Sequence, residues 1–350
     1  MTPQIKIFPR FTLEDGTELR DVPVAYSTWG TLNRTGDNVI VVCHSLTSNT
    51  NVEDWWSGLI GPGRALDTTL YFVICANVMG SPYGTVSPIT EKPGLGEPYG
   101  PDFPVPTIRD TVALHRVLLD ALGVERVAFP IGGSMGGMQA LEWAFCGDYV
   151  RGLVPIGVGG RHSAWCIAWS EAQRQAIYHD PAWLGGRYRP GEGPSMGLST
   201  ARMIAMISYR SFRSFQQRFG REFVDHESAR SFRMESYLHH HGKKLVERFD
   251  ANCYVRLTQS MDTHDVARGR GDYHRVLGSI SQPALVIGID SDVLYPLAEQ
   301  EELAEHLPNA RLAVLEAPHG HDSFLIELEA MNELVTAWRK EVIDAALGAG

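Results

Sequence analysis

The chain has 350 residues, 44% hydrophobic and 21% charged, a balance that fits a folded globular protein and excludes a disordered or collagen-like one. Its 31 Lys and Arg against 41 Asp and Glu give a formal net charge of −10, which disfavours nucleic acid as a partner and requires any anionic ligand to find a local basic patch. Five scattered cysteines (Cys43, Cys75, Cys146, Cys166, Cys253) contain no Cys-x-x-Cys pair, so neither a disulfide framework nor a zinc site is expected. The opening Met1-Thr2-Pro3-Gln4-Ile5-Lys6 has no basic start followed by an apolar stretch, and no apolar run reaches the ~18 residues of a membrane span. No signal peptide, no membrane partner and a reducing cytosol are therefore expected.

Along the chain, short apolar runs end at Gly, Ser or Asn: 38–43, 70–76, 126–131, 150–158, 283–289 and 311–315. Runs this short and apolar on both faces read as buried strands of a parallel sheet. Amphipathic helices are predicted between and after them, over Thr107–Leu122 with Gly123 as the stop, Gly137–Phe145, Pro296–Leu307 and Ser323–Leu347. The alternation predicts a doubly wound α/β sheet. It breaks between 161 and 280, where helical patterns cover Ala164–Tyr178, Thr200–Phe219 and Ser236–Asp262 and no convincing strand is seen. Because strands resume at Pro283, residues 1–160 and 281–350 read as one core domain and 161–280 as a helical lid inserted over the sheet's carboxyl edge, where ligand sites form.

Gly132-Gly133-Ser134-Met135-Gly136 lies directly after a buried strand and directly before a helix. That context makes Gly-x-Ser-x-Gly a nucleophile elbow: small residues allow a sharp turn that lifts the Ser134 hydroxyl above the sheet. The Met135 N–H, at the helix start, then faces the place where an oxyanion develops. A plain Gly-rich turn is the bland alternative; a Walker loop is excluded because no Gly-Lys-Ser/Thr follows. The serine needs a base, and the base an acid, in the chain order Ser, acid, His. Asp290 and Asp292 follow the strand at 283–289, and His319 and His321 follow the strand at 311–315. Loop placement favours Asp292, and Gly320, which permits close backbone approach, favours His321. A second oxyanion donor is expected from His44-Ser45-Leu46-Thr47-Ser48, with the Leu46 N–H as the candidate and His44 as a structural hydrogen-bonder.

These residues resemble the homoserine O-acetyltransferase family of α/β-hydrolase-fold enzymes nearly end to end. The resemblance is carried by residues 19–33, 53–67, 77–84, 132–142, 248–252, 261–269 and 320–325. The wording around Asp54-Trp55-Trp56 and Arg161–Tyr178 looks closest to a fungal-type branch. Two positions depart from the common pattern: Ser45, where the family often has Ala, and Ser48, where it often has Gly. The resemblance implies an α/β-hydrolase fold, a Ser134–Asp292–His321 triad and an oxyanion hole from Leu46 and Met135. It implies ping-pong transfer of acetyl from acetyl-CoA to L-homoserine in methionine synthesis, with acetyl-CoA as co-substrate and no permanently bound cofactor, and a homodimer.

By the same resemblance Arg202, Tyr209 and Asp322 bind the amino acid. Arg202 can fork onto its carboxylate, and Asp322 can pair with its ammonium. The residue-level alternatives are a lid ion pair for Arg202 and a helix N-terminal carboxylate for Asp322. Between 201 and 233, seven arginines (202, 210, 213, 218, 221, 230, 233) outnumber three acids (Glu222, Asp225, Glu227), a basic rim that can steer CoA phosphates or simply be a solvated face. His239-His240-His241 points in different directions on a helix, so a lid or dimer contact is expected there and no metal. Serine as acceptor, succinyl-CoA as donor, or plain ester hydrolysis remain the alternatives on the same site.

Overall fold

The computed structural model describes residues 2–225 and 230–345, without the side chains of Asp225 and Arg230. The strands are β1 (Gln4–Thr12), β2 (Glu18–Trp29), β3 (Val39–Val42), β4 (Phe72–Ala76), β5 (Val127–Gly133), β6 (Val154–Ile156), β7 (Phe223–Asp225), β8 (Arg230–Phe232), β9 (Ala284–Ile289) and β10 (Ala310–Leu315). Eight of them form one sheet in the order β1-β2-β4-β3-β5-β6-β9-β10. From β4 to β10 every pairing is parallel. Strands β3, β5 and β9 are buried along their whole length, which is why they read as unbroken apolar runs.

The first two strands carry no such run. β1 and β2 pair antiparallel from Gln4–Tyr26 to Thr12–Glu18, and β2 joins β4 antiparallel. Charged residues such as Lys6, Arg10, Glu18 and Arg20 alternate along them, the signature of a sheet edge facing water. The predicted run 150–158 shrinks to the three residues of β6.

Helix Ile108–Ala121 begins at a capping box in which Thr107 and Asp110 exchange hydrogen bonds. Helix Met135–Trp143 is buried at every position and begins two residues earlier than its apolar pattern suggested. Two hydrophobic clusters sandwich the sheet: one gathers Leu114, Leu118, Met138 and Leu141, the other Trp56, Phe324, Met331 and Trp338. The C-terminal helical stretch is not continuous: Ser323–Ile326 and Leu328–Trp338 are separated at Glu327, and a π-helical turn covers Arg339–Asp344. The predicted end at Leu347 lies outside the described residues.

Between β6 and β9 the chain leaves the sheet. Helix Ala164–Tyr178 runs as predicted. The expected helix at 200–219 is two, Ser195–Ser208 and Phe212–Phe219, because Ser211 accepts from the Ser214 N–H and starts a new helix. The expected helix at 236–262 is likewise two, Arg233–Val246 and Ala251–Asp262, the second capped by Asp250. A short antiparallel hairpin, β7 with β8, corrects the reading that this region holds no strand. No helix among the described residues is long and apolar enough to cross a membrane.

Candidate active site

Strand β5 ends at Gly133 and the next helix begins at Met135, so Ser134 alone makes the turn, with φ 59° and ψ −125°. A non-glycine residue in that region is strained and persists only where its surroundings enforce it. The enforcement is visible: the Ser134 N–H donates to the Ile156 carbonyl at 3.0 Å, and its own carbonyl accepts from Gly137 and Met138. Gly136 lies so close to the strand that a Cβ there would sit 2.1 Å from the Cys43 carbonyl oxygen. Any side chain at 136 would push the turn apart. Met135 occupies the first helical position, where a backbone N–H has no intrahelical partner.

The loops after β9 and β10 bring Asp292 and His321 together. His321 Nδ1 lies 2.6 Å from Asp292 Oδ2, and both side chains are at most 3% exposed. Asp292 Oδ1 accepts from the N–H groups of Leu294 and Tyr295, which fixes the carboxylate plane. Burial disfavours the charged form of His321, but the attraction and hydrogen bond of Asp292 outweigh it, and its pKa rises above the ordinary 6.5. Nε2 of His321 is buried and has no hydrogen-bond partner. It shares a cavity of about 60 Å³ with Ser134, and catalytic hydrogen bonds that are long or unaligned without substrate commonly form once it binds. The competing residues go elsewhere. Asp290 accepts from the Ala317 N–H at 2.9 Å and so ties the loop after β9 to the loop after β10, and His319 faces Glu327 at 3.3 Å.

Gly320 has φ +73°, and a Cβ there would meet Ser211 N at 2.7 Å, so the histidine loop sits directly against the lid turn at 209–211. The Asp322 N–H donates to the Tyr209 carbonyl at 3.1 Å across that contact, and the Ser211 hydroxyl donates to the Pro318 carbonyl.

Leu46 is buried on the loop after β3 and lines the cavity beside Ser134. His44 is a structural hydrogen-bonder there: Nδ1 meets the Ser45 carbonyl at 2.9 Å, and Nε2 accepts from the Val78 N–H at 3.0 Å. Burial pushes its pKa down to about 4, so it stays neutral. A clamp on this loop was missed from sequence. Arg248 donates to the Thr47 carbonyl at 2.7 Å and to the Tyr83 hydroxyl, tying the loop to the lid. The signal was present, since 248–252 is one of the segments that carry the resemblance, but no chemistry was assigned to it.

Arg202 and Tyr209 both line the cavity, with the guanidinium carbon 5.5 Å from the tyrosine ring centroid. Asp322 lines it too, but does not cap the helix that follows; its Oδ2 pairs with Arg210 Nε at 3.1 Å. The Arg210 partnership was not foreseen. Other lid arginines are also engaged: Arg233 with Glu222, and Arg218 and Arg221 over the rings of Tyr237 and Phe232. Asp225, Glu227 and Arg230 of the basic-rim count contribute no described side chain. His241 packs on Tyr237, ring centroids 4.4 Å apart, and among the described residues no three His, Cys, Asp or Glu side chains gather as a metal site.

A strained serine elbow, a buried His–Asp pair and a largely helical stretch inserted between β6 and β9 of a mostly parallel sheet define an α/β-hydrolase, and the profile of the alpha/beta hydrolase fold family matches residues 38–328. Homoserine O-acetyltransferase of Salinibacter ruber is 64% identical over 339 residues, 95% of this chain and 96% of its own. That of Chlorobium chlorochromatii is 54% identical over 93% of this chain and 91% of its own. Within the α/β-hydrolase fold the chain belongs to the homoserine O-acetyltransferase family. The crystal structure of the Bacillus anthracis homoserine O-acetyltransferase superposes with a TM-score of 0.87 at 26% identity, covering 96% of each chain. An acetylester hydrolase from Corynebacterium glutamicum superposes with a TM-score of 0.84 at 24% identity, over 98% of this chain and 96% of its own, so the fold alone does not separate transferase from esterase. The fungal-type branch is not represented among these relatives.

Proposed function

We propose that the chain transfers acetyl from acetyl-CoA to the side-chain hydroxyl of L-homoserine through an acetyl ester on Ser134, a step of methionine synthesis. The observation that carries the reading is one cavity holding Ser134 and His321 together with Arg202 and Asp322. The first pair can make and break an acyl ester, and the second presents opposite charges to a zwitterion, which an ester hydrolase has no need to grip.

His321 Nε2 takes the Ser134 proton as Oγ attacks the thioester carbonyl, and Asp292 stabilises the imidazolium. The N–H groups of Met135 and Leu46 receive the oxyanion. Collapse expels CoA, whose thiolate takes the proton from His321. The homoserine hydroxyl then gives its proton to the same nitrogen and attacks the acetyl-serine; collapse breaks the ester bond to Ser134 Oγ, which takes the proton back from His321, releasing O-acetyl-L-homoserine and free Ser134. Arg202 and Tyr209 hold the acceptor carboxylate and Asp322 its ammonium, while residues 161–280 act as the lid that keeps water unproductive. The partners are these small molecules and a second copy of the chain in a homodimer; the compartment is the cytoplasm.

A CoA-release assay crossing acetyl- and succinyl-CoA with homoserine, serine and water tests the reading. Fast release only with acetyl-CoA and homoserine supports it. Equal release with water makes the chain an esterase, and preference for serine or succinyl-CoA replaces the acceptor or the donor.

A further inference from the structure

Two cavities meet at Ser134. Leu46, Ser134 and Tyr209 are walls of both. The outer one, already described, contains His321, Arg202 and Asp322. The inner one contains none of them and is closed by Cys166, Trp169, Thr258, Met261, Leu294 and Tyr295, with polar groups behind. The chemistry of the reaction assigns these two spaces different jobs. The departing CoA sulfur and the arriving homoserine hydroxyl both exchange a proton with one histidine nitrogen, so both must stand on the His321 side of Ser134. The part of the acyl group that neither leaves nor attacks is then directed to the other side.

We infer that the inner cavity is the acyl pocket, that it receives the methyl of the acetyl group, and that Trp169 and Met261 in its wall restrict the donor to short uncharged acyl thioesters. Its volume is about 20 Å³, against ~10–15 Å³ for one water-sized sphere, so it holds a methyl but not a chain. Most of its polar lining is engaged within the protein, although the buried His162 Nε2 and Trp169 Nε1 have no hydrogen-bond partner. The Tyr295 hydroxyl meets His162 Nδ1 at 3.2 Å, Gln173 Oε1 accepts from Tyr254 at 2.6 Å, and the Cys166 thiol donates to the Leu294 carbonyl. Burial keeps His162 neutral, with its pKa pushed down to about 3. No Lys or Arg lines the space, so the carboxylate of a succinyl group would be buried there without a counter-charge.

The inference rests on the acetyl-transfer reading and is tested separately from it. Wild type, Met261→Ala and Trp169→Leu are assayed for thiol release from acetyl-, butyryl- and succinyl-CoA at fixed homoserine, and for homoserine KM with acetyl-CoA. Wild type is expected to prefer acetyl- over butyryl-CoA by about 100-fold or more, each extra methylene counting for ~10-fold or more. Either variant should raise the butyryl-to-acetyl ratio at least ~10-fold with homoserine KM changed by less than about two-fold. Succinyl-CoA should stay poor in both, because enlarging the space supplies no cation. A donor ratio unmoved in both variants, a homoserine KM that rises while the ratio stays put, or a variant that takes succinyl-CoA as readily as butyryl-CoA overturns the assignment. Wild type failing to acetylate homoserine at all is the distinct failure of the underlying reading.

Discussion

At the sheet edge, Ser134, Asp292 and His321 are held mainly by backbone: a strained turn closed by Ile156, two N–H groups on Asp292, and a glycine that lets the histidine loop touch the lid. In the lid, Arg202 and Tyr209 stand near the end of one helix, and Asp322, though on the core side, is tied through Arg210 to the turn between two lid helices. In the first region the Ser134 turn and the His321–Asp292 pair are in place without substrate. The second depends on side-chain ion pairs and rings, and under the proposed function it is where the acceptor would be selected. Chemistry and selectivity therefore sit on structurally different supports, and substitutions in the two regions should have separable kinetic signatures.

The largest effect is expected at the elbow. Ser134→Ala should lower kcat by on the order of 10⁵-fold or more, measured as CoA release at saturating substrates. Asp292→Asn should cost roughly 10³–10⁴-fold in kcat/KM. It should also displace the pH profile. Catalysis needs neutral His321, and Asp292 holds the His321 pKa above the ordinary 6.5, so wild-type kcat/KM should fall on acidification with a midpoint above that value. Removing the negative charge should move that midpoint to lower pH. An unmoved acid limb would mean that a different group titrates.

The lid should behave otherwise. Arg202→Ala is expected to raise homoserine KM by roughly 10–100-fold, the loss of a charge-assisted pair, while the half-reaction with acetyl-CoA alone proceeds at near wild-type rate. A lowered acylation rate with unchanged homoserine KM would dissolve the division between the two regions. The smallest effect is expected at the clamp that spans them: Arg248→Ala should reduce kcat by about 10-fold by loosening the loop that carries Leu46, with Arg248→Lys recovering part of it.

The core was legible because its signals are local. A buried parallel strand is an apolar run, a helix stop is Gly123 after Leu122, and an elbow is five consecutive residues. The two N-terminal strands were not, because β1, which mixes Lys6 and Arg10 with the exposed Ile5 and Ile7, offers no apolar run to read. The lid breaks were hidden for a different reason: Ser211 and Asp250 are caps set in otherwise helical sequence, and a cap declares itself only when the chain turns. Arg210 with Asp322, and Arg248 with Thr47, join residues more than a hundred positions apart, which no spacing rule reaches. The expectation of Asp292 over Asp290 rested on loop placement; the structure sets Asp292 against His321 and Asp290 against the Ala317 N–H of the neighbouring loop.

The account turns on a covalent acetyl-serine, and intact-mass spectrometry of the protein mixed with acetyl-CoA in the absence of homoserine addresses it directly. The wild-type chain should gain ~42 Da, mapped by peptide digestion to Ser134 and discharged on adding homoserine, and Ser134→Ala should gain nothing. An adduct of that mass that persists in folded Ser134→Ala, or that homoserine does not remove, would contradict it.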